Sequence, residues 1–137
     1  MILVNHFRKD QVKSKYVKMQ VVHNIFIEGI PFPHAKSKGD LAAPKLWTET
    51  IIDKTKTLER VKEACKLQAD FILPPNKYPT DLPHGPDLDN LLHRLFNALK
   101  QTVLGDDSLI THLECRKRKV VEGEKTGVHL IISIAQV

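Results

Sequence analysis

The stretch Cys65-Lys66-Leu67-Gln68-Ala69-Asp70-Phe71-Ile72-Leu73 constrains this chain more than any other. Cys65, Leu67, Ala69, Phe71 and Leu73 alternate with Lys66, Gln68, Asp70 and Ile72, the period of two that an extended backbone imposes on its side chains. One face of such a strand is buried and the other is mostly polar. Pro74-Pro75 stop it, because proline cannot donate to a sheet ladder.

The rest of the chain supplies partners for that strand. From Met19 to Glu28, Val21, His23, Ile25 and Ile27 alternate with Val22, Asn24, Phe26 and Glu28, which predicts a second strand ended by Gly29, Pro31 and Pro33. Asp40 offers a helix cap and Pro44 suits a first turn, so a short helix is expected over 41–54 with Leu46, Trp47, Thr50 and Ile51 at helical spacing. Residues 55–64 are strongly charged and read equally as an extension of that helix or as a link. Leu91, Leu92, Leu95, Phe96, Leu99 and Val103 predict an amphipathic helix from Asp89 to about Gln101, with Gly105 as its stop. Residues 109–120 read as a strand with Leu109, Thr111, Leu113 and Cys115 on one face, and 128–137 as a final strand carrying Leu130, Ile132 and Ile134. The expected architecture is one α+β domain: a mixed or antiparallel sheet of about four strands with two helices packed on one side. Residues 1–18 form a basic lead-in, read as a mobile arm or a short irregular segment, and 19–137 form the domain.

The distribution of charge and cysteine narrows the function. The net charge is +5. Residues 1–38 hold seven Lys or Arg against Asp10 and Glu28, and the remainder is balanced apart from the local block Arg116-Lys117-Arg118-Lys119. Basic patches of this kind suit a polyanion such as nucleic acid, and equally a solvated face that keeps a protein soluble. Cys65 and Cys115 have no Cys-x-x-Cys spacing, so they are expected as small buried apolar groups rather than zinc ligands. No apolar run reaches the roughly 20 residues that span a bilayer, and Met1-Ile2-Leu3-Val4 is too short for a signal-peptide core. A soluble cytoplasmic protein is expected.

The chemistry concentrates around the second helix. Asp87-Leu88-Asp89-Asn90 places two carboxylates at its start, and Asp106-Asp107 follow its end. Hard divalent cations such as magnesium take oxygen ligands, usually one or two carboxylates with water and phosphate oxygens. A phosphodiesterase uses such an ion to activate water and to neutralise the leaving oxygen. The plainer reading stands beside this one. Asp87 or Asp89 caps the helix, and Asp106-Asp107 make a turn. A helix of about 14 residues is roughly 20 Å long, so the two pairs meet only if the chain folds back beside it.

The combined pattern resembles the RusA-type Holliday-junction resolvases. The matching residues are Asp87-Leu88-Asp89-Asn90-Leu91 opening the helix, Asn97-Ala98-Leu99 within it, Asp106-Asp107-Ser108-Leu109-Ile110, and Lys117 further along the strand. A weaker similarity lies in Glu28-Gly29-Ile30-Pro31-Phe32-Pro33, followed by basic residues. The resemblance implies a small homodimer that makes paired nicks in branched DNA at a four-way junction, using Mg2+ held by acidic residues. It implies Asp87, Asp89 and Asp107 as metal ligands, with Asp106 and Asn90 supporting them. Where the family carries a lysine four places after Asp89, this chain has His93, followed by Arg94; His93 reads as the fourth catalytic residue beside Asp87, Asp89 and Asp107, standing in for that lysine when protonated, or as a surface residue with no role. Lys117 reads as a phosphate contact or as an edge-strand charge. Lys36 and Lys38 carry the same pair of readings, and Arg94, Arg116 and Lys119 complete the candidate DNA contacts. Trp47 is expected in the core, and Phe32 reads as a packed loop residue or a wedge between base steps. Two alternatives remain in view: a protein that holds branched DNA without cutting it, and a magnesium-dependent nucleotide phosphohydrolase.

Overall fold

A computed structural model of the protein describes residues 18–32, 42–75 and 87–136. In chain order the elements are β1 (Met19–Glu28), α1 (Ala42–Thr55), β2 (Cys65–Leu73), α2 (Leu88–Leu99), a short 3-10 turn (Asp107–Leu109), β3 (Ile110–Lys119) and β4 (Gly127–Ala135). The four strands form one sheet in the order β1-β4-β2-β3. β4 pairs antiparallel with β1 and β2, whereas β2 and β3 run parallel, so the sheet is mixed.

The burial of β2 follows its alternation. Leu67, Ala69, Phe71 and Leu73 are fully buried, and the register sets them beside Ile132, Leu130 and Val128 of β4. Ile27 of β1 lies opposite Val128 on the same face. That face carries both helices. Trp47 and Ile51 of α1, and Leu91, Leu92, Leu95, Ala98 and Leu99 of α2, join the sheet residues in one core cluster. The two helices therefore pack on one side of a single α+β domain. Trp47 is a core residue, with its ring edge against Gly29, and Phe32 packs against the same core. Cys65 is buried and Cys115 half-buried; desolvation raises the pKa of each thiol above its ordinary value.

Several boundaries differ from those the sequence suggests. α1 ends at Thr55, whose buried hydroxyl donates to the Ile51 carbonyl (2.7 Å) and pairs with the Thr102 hydroxyl (2.7 Å). Residues 56–64 are a link, not more helix, and Val61 is drawn into a parallel bridge with Leu104. α2 ends at Leu99, before Gly105 is reached. The Gln101 and Thr102 amides donate to Ala98 and Leu99 carbonyls in the tighter i→i+3 pattern, and the Leu104 amide donates to Leu99. These bonds satisfy the last carbonyls, so no glycine is needed there. The expected cap Asp40 lies outside the described residues. Of the lead-in expected over 1–18, only Lys18 is described; its carbonyl accepts from the Gln136 amide at 2.7 Å.

β2 and β3 are parallel and α2 connects them, forming a β-α-β unit in which the chain must return along the helix. α2 therefore runs back toward the sheet end where β2 and β3 begin, where Leu104 just beyond it bridges to Val61. No helix among the described residues is long and apolar enough to cross a membrane.

Candidate metal and nucleic-acid site

Asp87 stands at the N-cap position of α2 with extended backbone (φ −69°, ψ 141°). Its carbonyl accepts the first helical hydrogen bond, from the Leu91 amide at 3.0 Å. Its side chain makes no capping bond. The carboxylate is exposed, and Oδ2 accepts a long 3.5 Å bond from the Asn90 amide. Capping therefore does not account for Asp87. Asp89 is exposed in the first turn. His93, also exposed, follows it by four residues and so shares its side of the helix one turn on. Arg94 turns elsewhere. Its Nη1 donates to the Thr48 hydroxyl of α1 at 3.1 Å, and partial burial lowers the guanidinium pKa.

The second acidic pair occupies the other end of α2. Asp106 Oδ1 accepts from the Ser108 amide at 2.9 Å and caps the 3-10 turn. That bond is the first cause of a carboxyl pKa below its ordinary value. Asp107 Oδ2 lies 3.4 Å from Nζ of Lys100, the C-cap residue of α2. A 12-residue helix is roughly 18 Å long, and the chain does not fold back to close that gap. The structure thus keeps Asp87 and Asp89 at the start of α2 and sets Asp106 against Asp107 at its other end. Among the described residues no group of three or more His, Cys, Asp or Glu is placed to hold a metal ion.

The donor set at Asp87 and Asp89 nevertheless suits magnesium. These are two exposed hard-oxygen groups, enough for an ion that keeps several waters and takes phosphate oxygens from its substrate.

Strand alternation divides the basic block. Arg116 is bidentate to Asp70 (2.9 and 3.0 Å), and Arg118 is bidentate to Glu124 (2.6 and 2.5 Å). Both arginines lie on the sheet face opposite α1 and α2. Lys117 and Lys119 pair in register with Phe71 and Leu73, whose side chains are in the core, so they project on the helix side. Lys117 is half-buried and Lys119 exposed. Lys36 and Lys38 lie outside the described residues. Asp70, Glu124 and Lys100, which engage three of the charged groups discussed above, escaped the sequence reading. The position of Asp70 on the polar face of β2 was the one available signal.

Comparison with known families bears on the whole arrangement. A family model described as "Endodeoxyribonuclease RusA" matches residues 42–133, about two thirds of the chain, from the start of α1 into β4. No curated protein matches the chain.

Proposed function

Because the chain belongs to the RusA endodeoxyribonuclease family, we propose that it is a magnesium-dependent endonuclease that works as a homodimer and resolves Holliday junctions by paired nicks. The observation that carries the metal assignment is the Asp87 carboxylate. It stands at a helix start and is not spent on capping that helix.

In this reading Asp87 and Asp89 hold the ion, and the Asn90 amide steadies Asp87. Magnesium, when bound, supplies activation of water and neutralises charge on the leaving oxygen. His93, one turn beyond Asp89, contacts a phosphate of the substrate when protonated, in the place where the family carries lysine. Lys117 and Lys119 hold the DNA backbone at the same end of the β-α-β unit, the end at which open α/β sheets bind their ligands. Asp107 joins the metal only if its contact with Lys100 opens, and the proposal rests on the first pair alone.

The test uses a labelled four-way junction, a linear duplex and a nucleoside triphosphate, each incubated with the protein with and without magnesium. Symmetric nicks in the junction alone, and only with magnesium, support the proposal. Junction binding without nicks points to a holding protein, and hydrolysis of the nucleotide alone points to a phosphohydrolase. Either result sinks the resolvase reading.

A further inference from the structure

We infer that a second copy of this chain docks on the outer edge of β1, the two β1 strands pairing antiparallel so that their sheets join into one. The inference rests on the proposed homodimer and says which surface builds it.

β1 is an edge strand, with β4 on one side of it and no strand on the other. In an antiparallel ladder, successive residues turn their N–H and C=O to opposite sides. The Gly29 amide donates to the Thr126 carbonyl, continuing the register of Ile27 with Val128 and of Ile25 with Leu130. Ile25 and Ile27 therefore bond toward β4, and the N–H and C=O of Asn24, Phe26 and Glu28 point out of the sheet. Among the described residues no backbone group meets them.

A bare edge is ordinarily guarded by charge. The opposite edge is so guarded: β3 carries Glu114, Arg116, Lys117, Arg118 and Lys119. β1 has no Asp, Glu, Lys or Arg from Met19 to Ile27, and Met19, Val21 and Phe26 are exposed. Its one charged residue, Glu28, decides the direction of the partner. A parallel copy in register sets Glu28 beside Glu28, whereas an antiparallel copy keeps the two carboxylates apart.

The bulge between Val21 and His23 confines regular pairing to residues 23–28. An antiparallel copy centred on Phe26 stays within that stretch. It sets Phe26 against Phe26, Asn24 opposite Glu28 and Ile25 opposite Ile27. All three outward residues then fall at hydrogen-bonded positions, which gives about six ladder bonds. Asn24 Oδ1 is held by the His129 ring at 2.6 Å, so its Nδ2 is the group that meets the Glu28 carboxylate across the joint. The joint is self-complementary, as a two-fold interface requires. α1 lies against β1 and α2 against β3, so joining at β1 leaves α2 on the outer flank of each copy.

Sedimentation equilibrium and amide exchange over a concentration series test the joint without DNA. The parent chain is expected to sediment as two chains, with protection of the Asn24 and Phe26 amides growing with concentration. The Ile25 and Ile27 amides, bonded to β4, stay protected throughout. Phe26→Lys sets two like charges at the centre and is expected to sediment as one chain with unchanged far-ultraviolet dichroism. Phe26→Cys decides the matter independently, should the lysine variant fail to fold. Opposed residues at a hydrogen-bonded position have Cα atoms about 5.5 Å apart, so a short bis-maleimide is expected to link the two copies. The parent chain is the control: its half-buried Cys115 lies on β3, and it is expected to stay unlinked.

A dimer that survives Phe26→Lys, or no linked pairs from Phe26→Cys, overturns the joint. So does a parent chain that sediments as one; Asn24 and Phe26 amides protected at every concentration then mean that another segment of the same chain covers β1. Junction cutting is scored apart from assembly. A β1-joined dimer that never nicks removes the nuclease reading and leaves the joint, and nicking by a dimer joined elsewhere removes the joint alone.

Discussion

Gly127 opens β4 opposite Glu28, and two separate features of its surroundings reject a side chain. Its φ is +153°, where L residues rarely sit, and a Cβ built on it falls against the Ile27 carbonyl oxygen, well inside the 3.0 Å that real Cβ atoms essentially never breach. The obstacle is β1 backbone, which cannot swing aside as a flexible side chain can. Gly123, in the turn just before, separates the two effects. Its φ is +86°, yet nothing lies within 4 Å of a Cβ built there. For Gly123→Ala only the backbone conformation resists, which costs about 1 kcal/mol. Gly127→Ala adds an overpacking cost of about 1–3 kcal/mol to a similar strain, for a total of roughly 2–4 kcal/mol. That is a large share of the roughly 5–15 kcal/mol that holds a typical domain together. Urea denaturation of both variants and the parent chain measures it, with the slope constant so that midpoints report stability alone. Equal losses for the two glycines, or an unmoved midpoint for Gly127→Ala, would refute the claim that β1 and β4 meet at this closeness.

The remaining predictions concern the site, the core and the β3–β4 turn. Asp89→Asn is expected to lower junction cutting by at least about 100-fold, in line with losing an electrostatic contribution made at the transition state, while gel-shift binding stays measurable; normal cutting would remove Asp89 from the proposed metal site. Leu95→Ala, at a fully buried position of α2, is expected to cost about 2–5 kcal/mol by urea denaturation, and a loss below about 1 kcal/mol would mean that α2 does not pack as described. The Arg118 fork pulls the Glu124 carboxyl down to about 2. A folded pKa below the unfolded value means that the pair stabilises the turn above the ordinary glutamate range and loses that contribution as pH falls toward 2. A carboxyl-resolved NMR titration should therefore find Glu124 still ionised at pH 3.5, and a midpoint near the ordinary value would show that the fork does not hold in solution.

Several parts of the molecule were legible in the residues alone because their causes are local. Alternation at 65–73 and 19–28 marked β2 and β1, and helical spacing of Leu91, Leu92, Leu95 and Leu99 marked α2 and its buried stripe. The family resemblance was carried by Asp87-Leu88-Asp89-Asn90 and Asp106-Asp107, and the family match over 42–133 supports it. The end of α2 was misplaced because Gly105 looks like a stop, whereas tighter turns after Lys100 had already satisfied the helix carbonyls. Such boundaries depend on which hydrogen bonds the following loop can offer, and composition does not encode that.

Pattern and spacing thus determined which segments are strands, which are helices, and which residues carry charge or carboxylate oxygen, since each of these follows from a few neighbouring positions. Tertiary structure decided how those residues are grouped. Parallel pairing of β2 with β3 sends α2 back along the sheet, which sets Asp87 and Asp89 at one end and Asp107 beside Lys100 at the other. The same pairing gives Arg116 and Arg118 carboxylate partners from Asp70, 46 positions away, and from Glu124 across a turn. A sequence states that a charge exists; only the register between strands states which charge it meets.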